Sequence, residues 1–388
     1  MEHKQVIAIF AITLIFFIGV FLRPSYRAYP GMDAYYFRNY ISSDKSEALE
    51  ETPIFGNAIF NILPDNDFLI KLVMFLVTLG CVYLFGLIGE YYVPKYGWMA
   101  GLFLLTGVIF HHIFIRLEDD LFGFFLVLVS WYILVNYHRV NDKHFIKKTA
   151  LNLLSLLVLA LAVFTWKWAI YFLILFAFLF KDNKLYLMSA GISIIIFFNQ
   201  ILGGIMPSLL VSENAPLIGI LTLLIMMLGY AKSARLKQNN AALLFATILT
   251  LGNAKFVFLL VPILCLNLCQ YVKAMPRDKS QILLIVSAIM LLYIAYSNFT
   301  AMPSEENYDL YNKYIKTSND LNLPKYNNWS YGYYLEYLGI KTNSKKSAYD
   351  NIIEYSNTII YTIPEDQNIK KYGCKILLAS KAGIIAKC

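Results

Sequence analysis

Arg116-Leu117-Glu118-Asp119-Asp120 runs directly into Leu121-Phe122-Gly123-Phe124-Phe125-Leu126-Val127-Leu128-Val129, and this junction decides the fold. The run continues to Val135 with Ser130 as its one small polar interruption, about the length a helix needs to cross hydrocarbon. A carboxylate at such a boundary is costly unless it meets a cation, a proton or water. Three in a row suit two roles: the cap and first turn of a helix, where the dipole favours acids, or oxygen ligands for a hard cation.

Working outward, the same kind of apolar run recurs along most of the chain. Of its 388 residues 59% are hydrophobic and 15% charged, which excludes a soluble domain. Spans are expected near 5–22, 67–86, 97–114, 121–137, 149–165, 167–180, 185–202, 216–231, 239–253, 256–272 and 280–297, about eleven in all. The boundary at Trp166-Lys167-Trp168 divides two shorter runs that also suit one bent helix. No small-residue cleavage site follows the first run, so it reads as an uncleaved span. Residues 1–297 are thus expected to form a transmembrane domain, and 298–388 a small mixed α/β domain outside the membrane.

Lys and Arg set the orientation. With the N-terminus cytoplasmic, Lys4, Lys95, Arg139, Lys143, Lys147, Lys148, Lys181, Lys184, Lys232, Arg235, Lys237, Lys273, Arg277 and Lys279 all fall inside, as the positive-inside rule requires. Part of the net charge of +8 is therefore topology, and division of the basic residues among separate loops excludes a nucleic-acid footprint. The protein is expected in the cell membrane as a multi-pass chain. Loops 23–66, 115–120 and 203–215 then share the outer face with the tail. Cys81, Cys265 and Cys269 lie in apolar runs, whereas Cys374 and Cys388 can pair in an extracytoplasmic tail.

Three further segments on that face carry acids or aromatic residues. Gly31-Met32-Asp33-Ala34-Tyr35-Tyr36 places Asp33 just after the first span, either as a solvated turn acid or as a ligand. Leu210-Val211-Ser212-Glu213-Asn214-Ala215-Pro216 follows Gly203-Gly204 and holds the sole acid between Asp182 and Asp278, a surface glutamate or a site residue. Asn328-Trp329-Ser330-Tyr331-Gly332 suits an interfacial aromatic belt, the core of a small domain or a binding surface. Lys255, ahead of Phe256 and Pro262, either snorkels to the headgroups or binds a phosphate.

In this order the segments resemble the catalytic subunit of oligosaccharyltransferase, the membrane glycosyltransferase of N-glycosylation, in its single-subunit archaeal and bacterial forms. That family carries a first-loop Asp, matched by Asp33, and an acidic pair after an Arg, matched by Glu118 and Asp120 behind Arg116. Its Ser/Thr-Val-Ser-Glu loop is matched by Leu210-Val211-Ser212-Glu213, with Leu210 in place of the hydroxyl residue. Lys255 stands where the family has Arg, and Trp329-Ser330-Tyr331-Gly332 where it has Trp-Asp-Tyr-Gly. The chain is also shorter than typical members, in spans and in external domain.

The resemblance implies a GT-C fold and metal-dependent transfer of a glycan from a polyprenyl or dolichyl (pyro)phosphate carrier to Asn of an Asn-x-Ser/Thr sequon. Asp33, Glu118, Asp120 and Glu213 would hold Mn²⁺ or Mg²⁺ and serve catalysis. Arg116 and Lys255 would meet the lipid phosphate, and Trp329, Ser330 and Tyr331 the acceptor peptide. Two alternatives remain open: a GT-C enzyme that uses a lipid-monophosphate sugar, and a non-catalytic paralogue within a glycosylation complex.

Overall fold

The computed structural model describes residues 1–23, 29, 34–42, 54–140, 145–196, 240–252, 256–276, 289, 293, 310, 312–314, 316, 325–327, 337, 359–362, 368–379 and 383–388. They form an all-α bundle followed by a small sheet. The helices are α1 (His3–Phe21), α2 (Ala34–Ser42), α3 (Ile54–Ile62), α4 (Asp67–Tyr92), α5 (Met99–Leu105), α6 (Val108–Ile115), α7 (Asp119–Arg139), α8 (Phe145–Thr165), α9 (Ile170–Leu179), α10 (Lys184–Ile196), α11 (Asn240–Gly252) and α12 (Val257–Ala274). Among the described residues five helices have the length and composition to cross a membrane: α1, α4, α7, α12 and residues 146–165 of α8. The run expected at 216–231 and the loop 203–215 lie outside the described residues, as does the run at 280–297 apart from residues 289 and 293.

Local chemistry sets the ends of these helices. Asn66 caps α4 by accepting from the Leu69 amide at 3.1 Å, and Asp67 opens its first turn. Glu118 is the extended residue before α7, Asp119 and Asp120 make its first turn, and His138 and Arg139 close it. Asp119 and Asp120 are thus neighbours on a helix and not alternate residues of an extended loop. The single span expected at 97–114 is two short helices, α5 and α6, parted at Thr106-Gly107, where the Thr106 hydroxyl donates to the Phe103 carbonyl at 2.7 Å. A turn of 3-10 helix at Lys167–Ala169 separates α8 from α9, so the two runs around Trp166 are distinct elements.

Side-chain pairs fix the directions of the helices. Gly80 of α4 faces Phe125 of α7, and Phe85 meets Trp131 with ring centroids 5.8 Å apart, so α4 and α7 run in parallel. Ser130 of α7 bonds Ser155 of α8 while Gly123 lies against Trp166, so α8 runs back. Phe21 of α1 meets Phe68 of α4, and Phe10 meets Phe75, so α1 also ends where α4 begins. Buried polar contacts hold the middle of the bundle. The Tyr186 hydroxyl lies 2.6 Å from that of Ser155, and Asn152 and Asn183 exchange bonds of 3.1 and 2.8 Å. Contacts of this kind bind helices where lipid gives no hydrophobic drive, at about 0.6 kcal/mol each.

The C-terminal region forms a four-stranded sheet in the order β1-β2-β4-β3, with β1 (Lys325–Asn327), β2 (Ile359–Thr362), β3 (Lys375–Ala379) and β4 (Ile384–Lys387). β1 and β2 are parallel, and the other pairs are antiparallel, with an irregular register between Ile376 and Leu378. A short helix, α13 (Asn368–Lys371), precedes β3. A disulfide joins Cys374 to Cys388, the pairing that the sequence permitted, while Cys81, Cys265 and Cys269 are free and buried.

Candidate active site

The helix directions gather the chemically interesting residues at one end of the bundle. There α1 and α8 finish, α4 and α7 start, and the turn at Trp166–Trp168 meets the start of α12, with Trp166 on Phe258 and Trp168 on Phe256. The short helices α2 and α3 cover this end. Phe37 stacks on Phe60 at 4.7 Å, and Phe60 meets Phe122 edge-on at 5.8 Å, which ties the first loop to the acidic turn of α7.

In that turn Arg116 pairs with Glu118 at 3.5 Å, and all three acids are half-buried. Each acid acts on its acidic neighbours, but the cations that act on them differ: Asp119 feels Lys167, whereas Asp120 feels Arg116. Of the expected site residues, the structure therefore brings Arg116, Glu118 and Asp120 together. Asp33, Glu213, Lys255, Trp329, Ser330 and Tyr331 lie outside the described residues. Asp33 immediately precedes Ala34, which is buried at the head of α2, and Lys255 immediately precedes Phe256, which is buried against the tryptophan turn.

A second cluster, not singled out by sequence reasoning, centres on Asp67. Its Oδ1 accepts from the Tyr29 hydroxyl at 2.8 Å and from Arg38 Nε at 2.5 Å, and its Oδ2 accepts from the Tyr337 hydroxyl at 2.8 Å. Arg38 also pairs with Asp65 at 2.7 Å. Burial, with the Asp67 charge beside it, pushes the Tyr29 phenol far above its ordinary value, and burial and the Asp67 bond do the same to Tyr337. Both stay protonated donors at neutral pH. Burial works against the Arg38 charge, but the hydrogen bond and charge of Asp67 hold its pKa above the ordinary value.

One turn into α4 lies Lys71, only 5% exposed, with its ammonium 5.8 Å from the centre of the Tyr29 ring. Among the described residues it has no ion pair or hydrogen bond. Arg23, just beyond α1 and also 5% exposed, adds a second buried cation whose charge acts on Lys71. The sequence signal for Lys71 was present: an ionisable residue inside an apolar span is a functional candidate by default.

The donor set bears on the expected cation. Among the described residues no group of three His, Cys, Asp or Glu side chains converges as metal ligands would. The acids of the α7 turn do not by themselves form a cation site, and no step below is routed through a metal.

Together, the bundle, the first-loop helices and the small C-terminal sheet make this chain a multi-pass membrane protein that shares its fold with solved membrane-protein structures. No family model matches the sequence, and no curated protein does. Two solved structures share the fold over essentially the whole chain. ArnT from Cupriavidus metallidurans in the apo state superposes with a TM-score of 0.56 at 11% identity, covering 99% of this chain and 98% of that one. The same protein bound to undecaprenyl phosphate gives 0.56 at 10% identity, covering 100% and 98%. The expected helical membrane fold therefore stands, while the oligosaccharyltransferase subfamily does not follow from likeness at this identity.

Proposed function

We propose that this chain is a membrane glycosyltransferase that takes its sugar from a polyprenyl-phosphate carrier. The observation that carries the reading is the presence, at one end of the bundle, of both an acidic turn and a buried lysine that has no ion pair or hydrogen bond among the described residues. A sugar joined to a lipid phosphate needs two things at its anomeric carbon: a base for the incoming nucleophile and cations for the departing phosphate. An acid of the site accepts the acceptor's proton as the nucleophile bonds to that carbon. The carbon–oxygen bond to the phosphate breaks, its electron pair leaves with the lipid phosphate, and cations at this end meet the new charge. Arg116 and Lys255 are joined in that role by Lys71 and Arg23. Supporting it, the ArnT structure of the same fold is one that binds undecaprenyl phosphate.

The finer reading, transfer to Asn of an Asn-x-Ser/Thr sequon, is supported by the Val211-Ser212-Glu213 and Trp329-Ser330-Tyr331-Gly332 segments of the sequence. Incubating purified protein in nanodiscs with a polyprenyl-phosphate sugar, an Asn-x-Thr peptide and a lipid acceptor, with products read by mass, tests both levels. A glycosylated peptide supports the N-glycosylation reading, and a glycosylated lipid supports the lipid-monophosphate alternative. A donor that stays intact with every acceptor tried argues against the transferase itself. The Mn²⁺ or Mg²⁺ requirement needs Asp33 and Glu213 beside Glu118 and Asp120. It is expected to appear as activity lost in EDTA and restored by either ion, and full turnover in EDTA removes it.

Lys71→Gln is expected to raise the apparent KM for the lipid donor about tenfold, the scale of one charge-assisted hydrogen bond to phosphate, with the acceptor KM unchanged. Lys71→Arg should keep most activity, since the charge and its hydrogen-bonding capacity remain. An unaltered donor KM in the glutamine variant would take Lys71 out of the phosphate site.

A further inference from the structure

Helix α2 spans nine residues, Ala34–Ser42, and a helix this short does not hold itself together in isolation. Its place is set by what grips it. Tyr35, fully buried, has its ring 6.0 Å from that of Tyr29 and 5.0 Å from that of Tyr337. One turn further on, Arg38 reaches Asp67 with Nε while its guanidinium lies 5.9 Å from the centre of the Tyr337 ring. The Tyr29, Arg38 and Tyr337 contacts all meet at the carboxylate of Asp67, and Tyr337 comes to it from 270 residues away. Three donors on one carboxylate are charge-assisted bonds, the strong kind, and they favour one arrangement of the segments that supply them.

We propose that Asp67 is a positioning residue, a clasp that holds Tyr29 and Tyr337 to α2 and so fixes α2, whose Phe37 stacks on Phe60 beside Phe122 at the acidic end of α7. This rests on the transferase reading for its catalytic consequence. The clasp itself is a statement about three segments and stands on their contacts. Asn at this position keeps the size of the side chain but loses the charge that Arg38 faces and offers one acceptor oxygen where the carboxylate offers two. Glu keeps both oxygens on a longer stem.

Hydrogen exchange and steady-state kinetics on the full chain in nanodiscs test the proposal together. In Asp67→Asn, the α2 amides are expected to exchange at least about tenfold faster, as local opening becomes easier. The kcat should fall about tenfold while the donor KM stays within about twofold, because misplacement of a catalytic group acts on turnover. Tyr337→Phe, which removes one donor and keeps the ring, should lie between that variant and the parent, and Asp67→Glu should recover part of the loss. A purely structural role would lower yield and melting temperature without separating kcat from KM. Unchanged α2 exchange in Asp67→Asn overturns the clasp. Faster exchange with parental kcat in both variants overturns the positioning role. If the parent chain transfers no sugar, the transferase reading fails, while α2 exchange still decides the clasp.

Discussion

Replacing Asp120 with alanine is expected to lower sugar transfer at least about a hundredfold, the usual cost of losing a group aimed at the reacting atoms, and Asp33→Ala and Glu213→Ala should do the same. Asp120 lies in the first turn of α7, where alanine is a better helix former than aspartate, so the helix should survive the change. Glu118 should rank with Asp120, and Asp119 below both. Glu118 and Asp120 share the charge of Arg116, whereas Asp119, its neighbour in the same helical turn, feels Lys167. Initial rates at saturating donor, with size-exclusion profiles to confirm folding, measure the ranking. If Asp119→Ala proved the most damaging of the three, the face of α7 assigned to the reacting centre would be the wrong one. Near-parental turnover in Asp33→Ala or Glu213→Ala would remove that residue from the site.

Sequence patterns carried the fold well where one element follows from one run of residues. Helices α4 and α7 begin where acids meet apolar residues, because the acids that the dipole favours in a first turn also mark the edge of the hydrocarbon. The break between α8 and α9 sits at Trp166, the boundary already in question. The division of 97–114 into α5 and α6 was not legible. Every residue of α5 is buried, and hydropathy cannot separate a short helix enclosed by protein from half of a lipid-facing span. The Asp67 cluster was hidden more deeply. Asp67 reads as the first residue of a span, Tyr29 and Arg38 read as loop residues, and Tyr337 stands 270 positions from its partner. No local periodicity encodes a bond across that separation. Lys71 is the opposite case, since a lysine in an apolar run was visible, while its burial without an ion pair among the described residues is seen only in three dimensions.

The closest approach at the site end of the bundle is expected to tolerate the least change: Gly123→Val should yield little or no folded protein. Gly123 lies one helical turn beyond Glu118–Asp120, and a Cβ built there would stand 2.2 Å from Cβ of Trp166. The atom met is the root of the tryptophan side chain, so no rotamer change relieves the clash. The indole has nowhere to go either: Trp166 is 2% exposed, with its ring 5.1 Å from that of Phe258 and 6.4 Å from that of Phe172. A side chain at 123 must therefore push the end of α8 away from α7, and with it Lys167, whose charge acts on Asp119. Overpacking of this kind costs about 1–3 kcal/mol and occasionally more. Gly123→Ala, the smallest insertion, is thus expected to lower the melting temperature by several degrees and to lose most of its activity. Gly191 in α10 supplies the control, because a Cβ there meets nothing within 4 Å. In Gly191→Ala only helix propensity changes, by about 1 kcal/mol in favour of alanine, so that variant should be unchanged or more stable. Thermal unfolding of the two alanine variants in the same detergent, followed by tryptophan fluorescence, compares them directly. Equal melting temperatures would mean that α7 and the Trp166 turn are not in contact, and that the acidic turn and Lys167 do not share one end of the bundle.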